Sequence, residues 1–495
     1  MANPVESLAV EPRAGAAPPP PPVSDPPAVP PLVSLGVLVL VALLILYVVP
    51  RPEAVTVQGW RMLAIFVCTV LALMLRPVPS GAAVLTGVLV IMLTRVLTPA
   101  QALAGYGNTT VWLVIAAFLF SRAVINSGLS QRLAFWLIRT IGHTSLGLGY
   151  SLVACDVAMA TVVPGNSSRI GGVLMPISRS LSGIYGSTPG PTSKKLGSYL
   201  MLTLYMGDTL ACAMYLTGQA SNPIAAGIAL QAFGVSMSWS RWLLVTIVPA
   251  LVTFAAIPWI VYKFNPPEVR HTPEAAAMGR AELAALGSIT VAEIKVITVL
   301  LLVVALWATA SVHGLATVTV ALLGVVGLLA TRTLLWSDII REHTAWDVFL
   351  WFGGVIRMGE AINEFGITTA FADSASLVFG GWTWPTLMAA IVVLYFYVHY
   401  FFASVTTHIV SMFLPFASLL VAAGAPAALA VFSLAISANL SACLTHYGTT
   451  PGPILYSTGY VTTGRWWKVG FLMSLAYMLI WGTVGLAWWK VLGMW

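Results

Sequence analysis

The sequence predicts an all-α polytopic membrane protein, and three observations support this fold class. Only 8% of the 495 residues are charged, whereas a soluble domain carries about 25%. The mean hydropathy is +0.91, and apolar runs of about 17 residues or more recur from Leu32 to Trp495. These runs are continuously apolar rather than alternating, which excludes a transmembrane β-barrel. The composition also excludes a soluble enzyme, a nucleic-acid-binding protein and a disordered scaffold.

About eleven transmembrane helices are predicted, because a helix needs roughly 20 apolar residues to cross a bilayer. They follow a Pro-rich segment, residues 1–31, which lacks the pattern of a signal peptide and is predicted to be a disordered tail. The predicted spans are 32–49, 57–75, 79–96, 111–127, 198–214, 240–264, 294–312, 316–332, 346–366, 425–443 and 468–492.

Two further apolar stretches are interrupted in the middle and are predicted to be re-entrant hairpins. Residues 145–181 are broken by Pro-Gly-Asn-Ser-Ser-Arg at 164–169, and residues 382–424 by Ser-Val-Thr-Thr-His at 404–408. Each half has about 15 residues, which is short for a span. Non-helical backbone at membrane depth is tolerated only inside the protein or beside a watery cavity. The two polar tips are therefore expected to lie there.

The interrupted features occur twice in the same order. A predicted helix break follows each hairpin, at 217–223 in the first half and at 446–453 in the second. The polar tips of the two hairpins are separated by 239 residues, and the glycines Gly218 and Gly448 of the two breaks by 230. Interrupted segments in corresponding positions of two halves indicate the binding site of a transporter.

The basic residues predict the topology. With the N-terminus in the cytoplasm, fifteen Lys and Arg residues lie inside and five outside, as expected for a multi-pass protein of the inner (cytoplasmic) membrane. The hairpins then enter from opposite sides, so the repeats are predicted to be inverted. The predicted divisions are N-terminal transmembrane helices at 32–75, a first repeat at 76–264, a cytoplasmic linker at 265–293 and a second repeat at 294–495.

Arg169 is the residue that indicates a function most directly. An arginine at membrane depth costs at least about 2.5–3.5 kcal/mol, and its guanidinium can bind a carboxylate through two parallel hydrogen bonds. The structural alternative is that Arg169 pairs with a buried acid, Asp156 or Asp208. His408 occupies the corresponding place in the second tip, where the alternative is a hydrogen-bonded core histidine. Asp208 could also bind a proton or a cation during transport.

The tips and breaks together form the predicted binding site. The helix halves that begin after each tip direct their positive dipole ends at the same place, and glycine at each break permits close backbone approach. The predicted substrate-binding residues are Asn166, Ser167, Ser168, Arg169, Gly218, Gln219, Asn222, Thr406, Thr407, His408, Gly448, Thr449 and Thr450.

A second polar cluster, Arg357, Glu360 and Glu364, has the spacing of one helix face and is interpreted as a contact that joins helices. The sequence contains no nucleotide-binding, metal-binding or nucleophile motif, so no cofactor and no metal are predicted. The expected partners are small carboxylate anions and membrane lipid, and no nucleic acid.

These residues resemble the divalent anion/sodium symporter family over most of the chain after about residue 55. The resemblance rests on VVPGNSSRIGGVLMPISRSLS, SKKLGSYL, WDVFLWFGG and LTHYGTTPGPILYSTGY, and it is greatest to the exchanger branch. Sodium-coupled members carry Ser-Asn-Thr at both tips, whereas this chain has Asn-Ser-Ser and Val-Thr-Thr. The resemblance implies a homodimer in which a transport domain moves like an elevator against a scaffold domain.

We therefore expect a secondary transporter that exchanges di- and tricarboxylates such as succinate, malate, 2-oxoglutarate and citrate. A fixed cation in the site favours exchange, because an empty carrier would move an unpaired charge through a low-dielectric interior. The alternatives are a sodium- or proton-coupled dicarboxylate symporter, a polytopic membrane enzyme using His408 and His446, and a passive anion channel.

Overall fold

The computed structural model describes residues 30–367, 370 and 381–495, and within them all regular secondary structure is helical apart from one isolated β-bridge between Thr144 and His271. Residues 1–29 of the predicted tail lie outside the described residues. The helices of the first half are α1 Pro31–Val48, α2 Val57–Leu75, α3 Ser80–Leu93, α4 Thr109–Ser127, α5 Leu129–Ile141, α6 Ser145–Ala160, α7 166–184, α8 Gly197–Met214, α9 Ser221–Phe233, α10 Trp239–Phe264 and α11 Pro273–Leu286.

The second half contains a hairpin, a break and a final long helix in the same order as the first half. Its helices are α12 Val291–Ala308, α13 Thr317–Ala330, α14 His343–Glu364, α15 Trp384–Phe401, α16 Val405–Ala422, α17 Ala427–Leu444, α18 Pro451–Tyr456 and α19 Thr463–Val491. Short helices at Pro99–Leu103, Ala310–His313 and Trp336–Arg341 complete the described part of the chain.

The fold class is confirmed, and each of the eleven predicted spans corresponds to a helix. Within the described ranges, nine helices are long and apolar enough to cross a membrane. Two of these nine are α15 and α16, the arms of the second hairpin. Each has 18 residues rather than about 15, because a 3-10 turn extends α15 at its end and a π turn lies within α16.

The two halves pack around a central pair of helices. Helix α8 contacts α17, and each of the two also packs against the first arm of its own hairpin, α6 or α15. The hairpin tips contact the opposite repeat: the π turn of α7 meets α18, and that of α16 meets α9. This reciprocal pattern is what two-fold related repeats produce, and it places both tips inside the protein.

The predicted linker at 265–293 is a packed element rather than a free connection. It contains α11, which lies against α5. Arg132 on α5 pairs with Glu293 at 2.6 Å and donates to the Gly287 carbonyl at 2.9 Å. These contacts fix the connection between the halves. The boundaries of the predicted divisions stay predictions.

The cluster on α14 joins helices, as the sequence predicts. Arg357 makes two 2.9 Å hydrogen bonds to Glu364, a 3.3 Å bond to Glu360 and a 2.8 Å bond to the Gln101 carbonyl. Glu360 also accepts from Gln231 of α9 at 2.6 Å. Arg357 is 6% exposed, so the cluster connects α14 to α9 and to the segment before α4.

We expect Arg357→Ala to destabilise the protein, because it leaves two carboxylates and a carbonyl without their common donor. The loss should be about 1–3 kcal/mol, seen as a lower midpoint of thermal unfolding in detergent. Arg341→Ala, at an exposed position, is the matched control. Equal midpoints for the two variants would contradict the joining role of Arg357.

Candidate binding site

Each hairpin turns at a short non-helical segment, and the helix that follows contains a π turn in the same register. Pro164 and Gly165 end the first arm, because proline disfavours helix at the residue before it. The second arms begin at Asn166 and Val405, and their π turns, Ile170–Leu174 and Ile409–Phe413, are also 239 residues apart. Such π turns occur frequently at functional sites, so the predicted correspondence of the tips extends to backbone geometry.

The tip of the first hairpin is bonded to the helix break of the second repeat. Asn166 Nδ2 donates to Thr449 Oγ1 at 3.0 Å, and Ser167 Oγ donates to Thr450 Oγ1 at 2.7 Å. Thr450 Oγ1 in turn donates to Asn166 Oδ1 at 3.0 Å. Residues separated by 283 positions are thereby brought together. This hydroxyl and amide cluster joins the two repeats at the predicted site.

The guanidinium of Arg169 lies behind this cluster and does not face an open site. Its Nε donates to Asp156 Oδ1 at 2.7 Å, and Nη2 donates to Asp208 Oδ1 at 3.0 Å. Nη1 donates to the carbonyls of Val163 at 2.5 Å and Gly218 at 2.9 Å. With Cys212 Sγ at 3.5 Å from Nη2, all five N–H groups have partners.

In this arrangement the N–H groups of Arg169 are bonded within the protein, and direct binding of a substrate carboxylate by Arg169 stays a prediction. The structural alternative is the arrangement observed, with both candidate acids as partners. Because the charge of Arg169 is already paired when the site is empty, the argument that an unpaired cation enforces exchange does not hold. The physical reason is that a buried guanidinium needs nearby acceptors, and the interior supplies two carboxylates.

The second hairpin carries an equivalent contact built from two histidines. His399 Nε2 lies 2.9 Å from the Gly448 carbonyl, and His399 Nδ1 lies 3.0 Å from His408 Nδ1. Because a carbonyl only accepts, His399 is protonated at Nε2, and His408 donates from Nδ1. The sequence analysis missed His399. The sequence does contain a signal for His399, because it is a titratable residue close to the end of the first arm, as Asp156 is in the first hairpin.

His408 is enclosed and is likewise not placed against a substrate. Its side chain is fully buried, and its ring stacks on Tyr395 at 4.1 Å and on Phe402 at 5.0 Å between centroids. Among the residues that the structure describes, His408 Nε2 has no hydrogen-bond partner. Aromatic rings therefore cover His408, and its expected contact with a carboxylate stays a prediction.

The glycines of the two breaks present their carbonyls to these buried groups. Gly218 accepts from Arg169, and Gly448 contacts His399. A Cβ at Gly218 would lie 2.5 Å from the Ala211 carbonyl oxygen, and one at Gly448 would lie 2.7 Å from the Ala442 oxygen. Each break therefore closes so tightly on the preceding helix that only glycine fits.

Asn222 and Gln219 belong to the first break. The Asn222 amide donates to the carbonyls of Cys212 at 2.7 Å and Tyr215 at 2.8 Å, and its oxygen accepts from Asn439 of α17. Since these bonds satisfy its amide hydrogens, Asn222 holds the break together, and its expected role as a substrate ligand stays a prediction. Gln219 lies next to Gly218 and is 8% exposed.

The groups that stay partly accessible at the tips are hydroxyls. Ser167, Ser168, Thr406 and Thr407 are half-buried, and Thr450 is exposed. Four helices begin at the tips and breaks, namely α7, α9, α16 and α18. Positive dipole ends combined with hydroxyl donors are suited to an anion. The site can therefore bind carboxylates while its formal charges stay buried behind the surface.

We expect Gly218→Ala and Gly448→Ala each to distort a break. Overpacking of this kind costs about 1–3 kcal/mol, so both variants should unfold at lower temperature in detergent. Gly183→Ala is the matched control in the first hairpin, because a Cβ there meets nothing within 4 Å. If both break variants unfold at the wild-type temperature, each break has room for a Cβ, and the tight closure is contradicted.

Known proteins are similar to this chain over nearly its whole length. Residues 32–495 match the family described as the sodium:sulfate symporter transmembrane region. The chain is 39% identical over 455 residues to dicarboxylate transporter 1, chloroplastic, of Arabidopsis thaliana, covering 91% of this chain and 82% of the relative. It is 30% identical over 479 residues to the citrate/succinate antiporter of Escherichia coli, covering 92% and 97%.

A solved structure supports the fold. The crystal structure of the Alcanivorax borkumensis YdaH transporter covers 80% of this chain and 89% of its own, with a TM-score of 0.55 and 13% identity. The family match and the identities extend through both hairpins and both breaks. The chain belongs to the sodium:sulfate symporter family, the divalent anion/sodium symporters, and is a transporter rather than an enzyme.

Proposed function

We propose that this chain exchanges one di- or tricarboxylate for another across the membrane. The observation that carries the proposal is the junction of the two repeats, where Asn166 and Ser167 of one tip bond to Thr449 and Thr450 of the opposite break. The substrate binds at this junction and at the matching hydroxyls of the second tip, Thr406 and Thr407. Each carboxylate of an elongated anion then meets hydroxyls and the start of a helix.

The substrate class is supported by the relatives. One is named as a dicarboxylate transporter and another as a citrate/succinate antiporter. A carboxylate accepts hydrogen bonds at both oxygens, which matches the hydroxyls at the junction. Succinate, malate, 2-oxoglutarate and citrate are the candidates, and they differ in length and in their hydroxyl or carbonyl groups.

Exchange is supported by the carbonyls at the two breaks. In transporters with broken helices, unwound carbonyls coordinate the coupling cation. Here the Gly218 carbonyl accepts from Arg169, and the Gly448 carbonyl is bonded to His399. Fixed donors therefore occupy the positions that a sodium ion would need at these two carbonyls. Without a coupling cation, the gradients of the carboxylates themselves drive transport.

We further propose an elevator movement within a homodimer in the inner membrane, with the N-terminus in the cytoplasm. The hairpins move together with α8–α10 and α17–α19, against α2–α4 and α12–α14. In the described conformation, α16 and α9 contact α2 and α14 respectively. Beside this contact, residues of α2 and of the second arm, α16, also line a mostly apolar groove of about 660 Å³.

Counterflow into proteoliposomes tests exchange. Vesicles loaded with unlabelled succinate or malate should accumulate labelled dicarboxylate without a sodium gradient, whereas empty vesicles should not. The reason is that the break carbonyls offer no place for a driving cation. Uptake that needs a sodium or proton gradient but no internal dicarboxylate would identify a symporter instead.

Variants at the junction test the site. We expect Ser167→Ala and Thr450→Val each to raise the KM for exchange about tenfold, because a hydrogen bond to a charged group contributes about 1.5–3 kcal/mol. Thermal stability should stay close to wild type, since both hydroxyls lie at the open side. Ser457→Ala is the control, because its hydroxyl bonds only to Ile454 of the same helix. If both junction variants keep the wild-type KM, the junction is not part of the substrate site.

A further inference from the structure

We propose that Asp156 and Asp208 take up one shared proton when a carboxylate substrate binds, and release it when the substrate leaves. The proton comes from bulk water and returns to it, so one proton is bound for each anion bound. This inference rests on the proposed function, because it needs an anion at the junction. It assigns to the two acids a role in binding the substrate together with a proton.

The first argument is the charge of the buried group formed by Asp156, Arg169 and Asp208. One guanidinium faces two carboxylates, and all three side chains are 0% exposed. With both acids ionised, the group carries a net charge of −1. An unbalanced buried charge is costly unless it is neutralised. One proton shared by the two acids restores neutrality.

In the described part of the chain, no other cation faces this group. The remaining titratable side chains that face it are thiols and phenols: Cys155 from α6, Cys212 and Tyr205 from α8, and Tyr477 from α19. From the second hairpin, the His399–His408 pair bonds to Gly448 as two neutral rings. The net charge of this group is therefore balanced by protonation of the two acids.

The second argument is the position of the unused carboxylate oxygen. Asp156 Oδ2 is buried and, in the part of the chain that the structure describes, has no hydrogen-bond partner. Arg169 cannot serve it, because its five N–H groups are already bonded. Asp156 and Asp208 both bond to this one guanidinium, at 2.7 and 3.0 Å respectively. Two carboxyl groups in such proximity share a proton, and the pair titrates as a unit.

The third argument connects the acids to the substrate. Asp208 Oδ2 accepts from Asn166 Nδ2 at 3.2 Å, and the same amide donates to Thr449 at 3.0 Å. An anion at the junction is therefore one side chain away from Asp208. Like charges repel strongly in a low-dielectric interior, so the bound anion favours the protonated pair. By linkage, protonation of the pair then strengthens binding of the anion.

In an exchange cycle, the proton crosses with the anion in both directions. The net proton flux is therefore zero when both carboxylates bind with one proton. Proton uptake is therefore measured when the substrate binds, and not as net proton transport. Purified protein in a weakly buffered detergent solution is mixed with malate at the same pH, in a range where malate is fully ionised. A pH-indicator dye then reports the protons taken up.

We expect wild-type protein to take up about one proton for each malate bound. Its malate affinity should fall about tenfold per pH unit on the alkaline side of the pair's titration. Asp208→Asn and Asp156→Asn should each bind malate without proton uptake, because each leaves one carboxylate opposite Arg169. Glu364→Gln, in the separate cluster on α14, is the control and should retain uptake.

The outcomes separate this inference from the proposed function. Malate binding by wild-type protein without proton uptake overturns the inference and leaves the proposed function standing. Absence of both malate binding and counterflow overturns the proposed function. If proton uptake persists in both Asn variants, the proton binds to another group, and this result also overturns the inference. If the variants do not fold, the pH profile of wild-type affinity decides, because a flat profile contradicts a shared proton.

Discussion

The buried guanidinium of Arg169 is the interaction on which the first repeat depends. Its five N–H groups connect the first arm at Asp156, the hairpin turn at Val163, the break at Gly218 and helix α8 at Asp208. A guanidinium is the side chain suited to this, because its planar group of five donors bonds in several directions at once. Without it, Asp156 and the two carbonyls would lose this donor, and Asp208 would be left to the Asn166 amide and the Cys212 thiol. The position of the tip follows from this one group.

The second repeat reaches the same geometry with different chemistry. His399 and His408 bridge the two arms of their hairpin, as Asp156 and Arg169 do in the first repeat, and the carbonyl of the break bonds to His399 here and to Arg169 there. The histidine pair is neutral, whereas the first repeat contains one cation and two acids. The two halves therefore share a backbone plan but differ in charge. This asymmetry gives the first repeat the titratable group next to the junction.

The same contacts explain why hydroxyls, and not cations, line the open side of the site. The charged and imidazole groups that stabilise the hairpins form their bonds on the inner side. Ser167, Thr406, Thr407 and Thr450 are left at the surface of the tips. In the proposed function, a dicarboxylate is held here by helix dipoles and by hydrogen bonds, and the hydrogen bonds exchange readily with water. Such binding is reversible, as a carrier requires.

Much of the fold could be predicted from the sequence, because its signals are local. Apolar length predicted span 57–75, which is the helix Val57–Leu75. Proline and glycine marked the first tip and both breaks, and the polar run at 404–408 marked the second tip. The 239-residue spacing of the tips is reproduced by the two π turns. These features depend on residues within one or two helical turns of each other. These features can therefore be recognised from the sequence alone.

The composition of the site was decided by the tertiary structure. The sequence offered Asp156, Asp208 and a substrate as alternative partners of Arg169, and only the packing of α6 and α8 against the tip assigned both acids to it. The contact of Asn166 with Thr449 and that of His399 with Gly448 likewise join segments distant in sequence. The sequence by itself determined a membrane transporter with two matched polar tips. Only the three-dimensional arrangement decided that the cation is buried and that hydroxyls are left at the open side of the tips, because acceptors in the interior bind the donors of the cation.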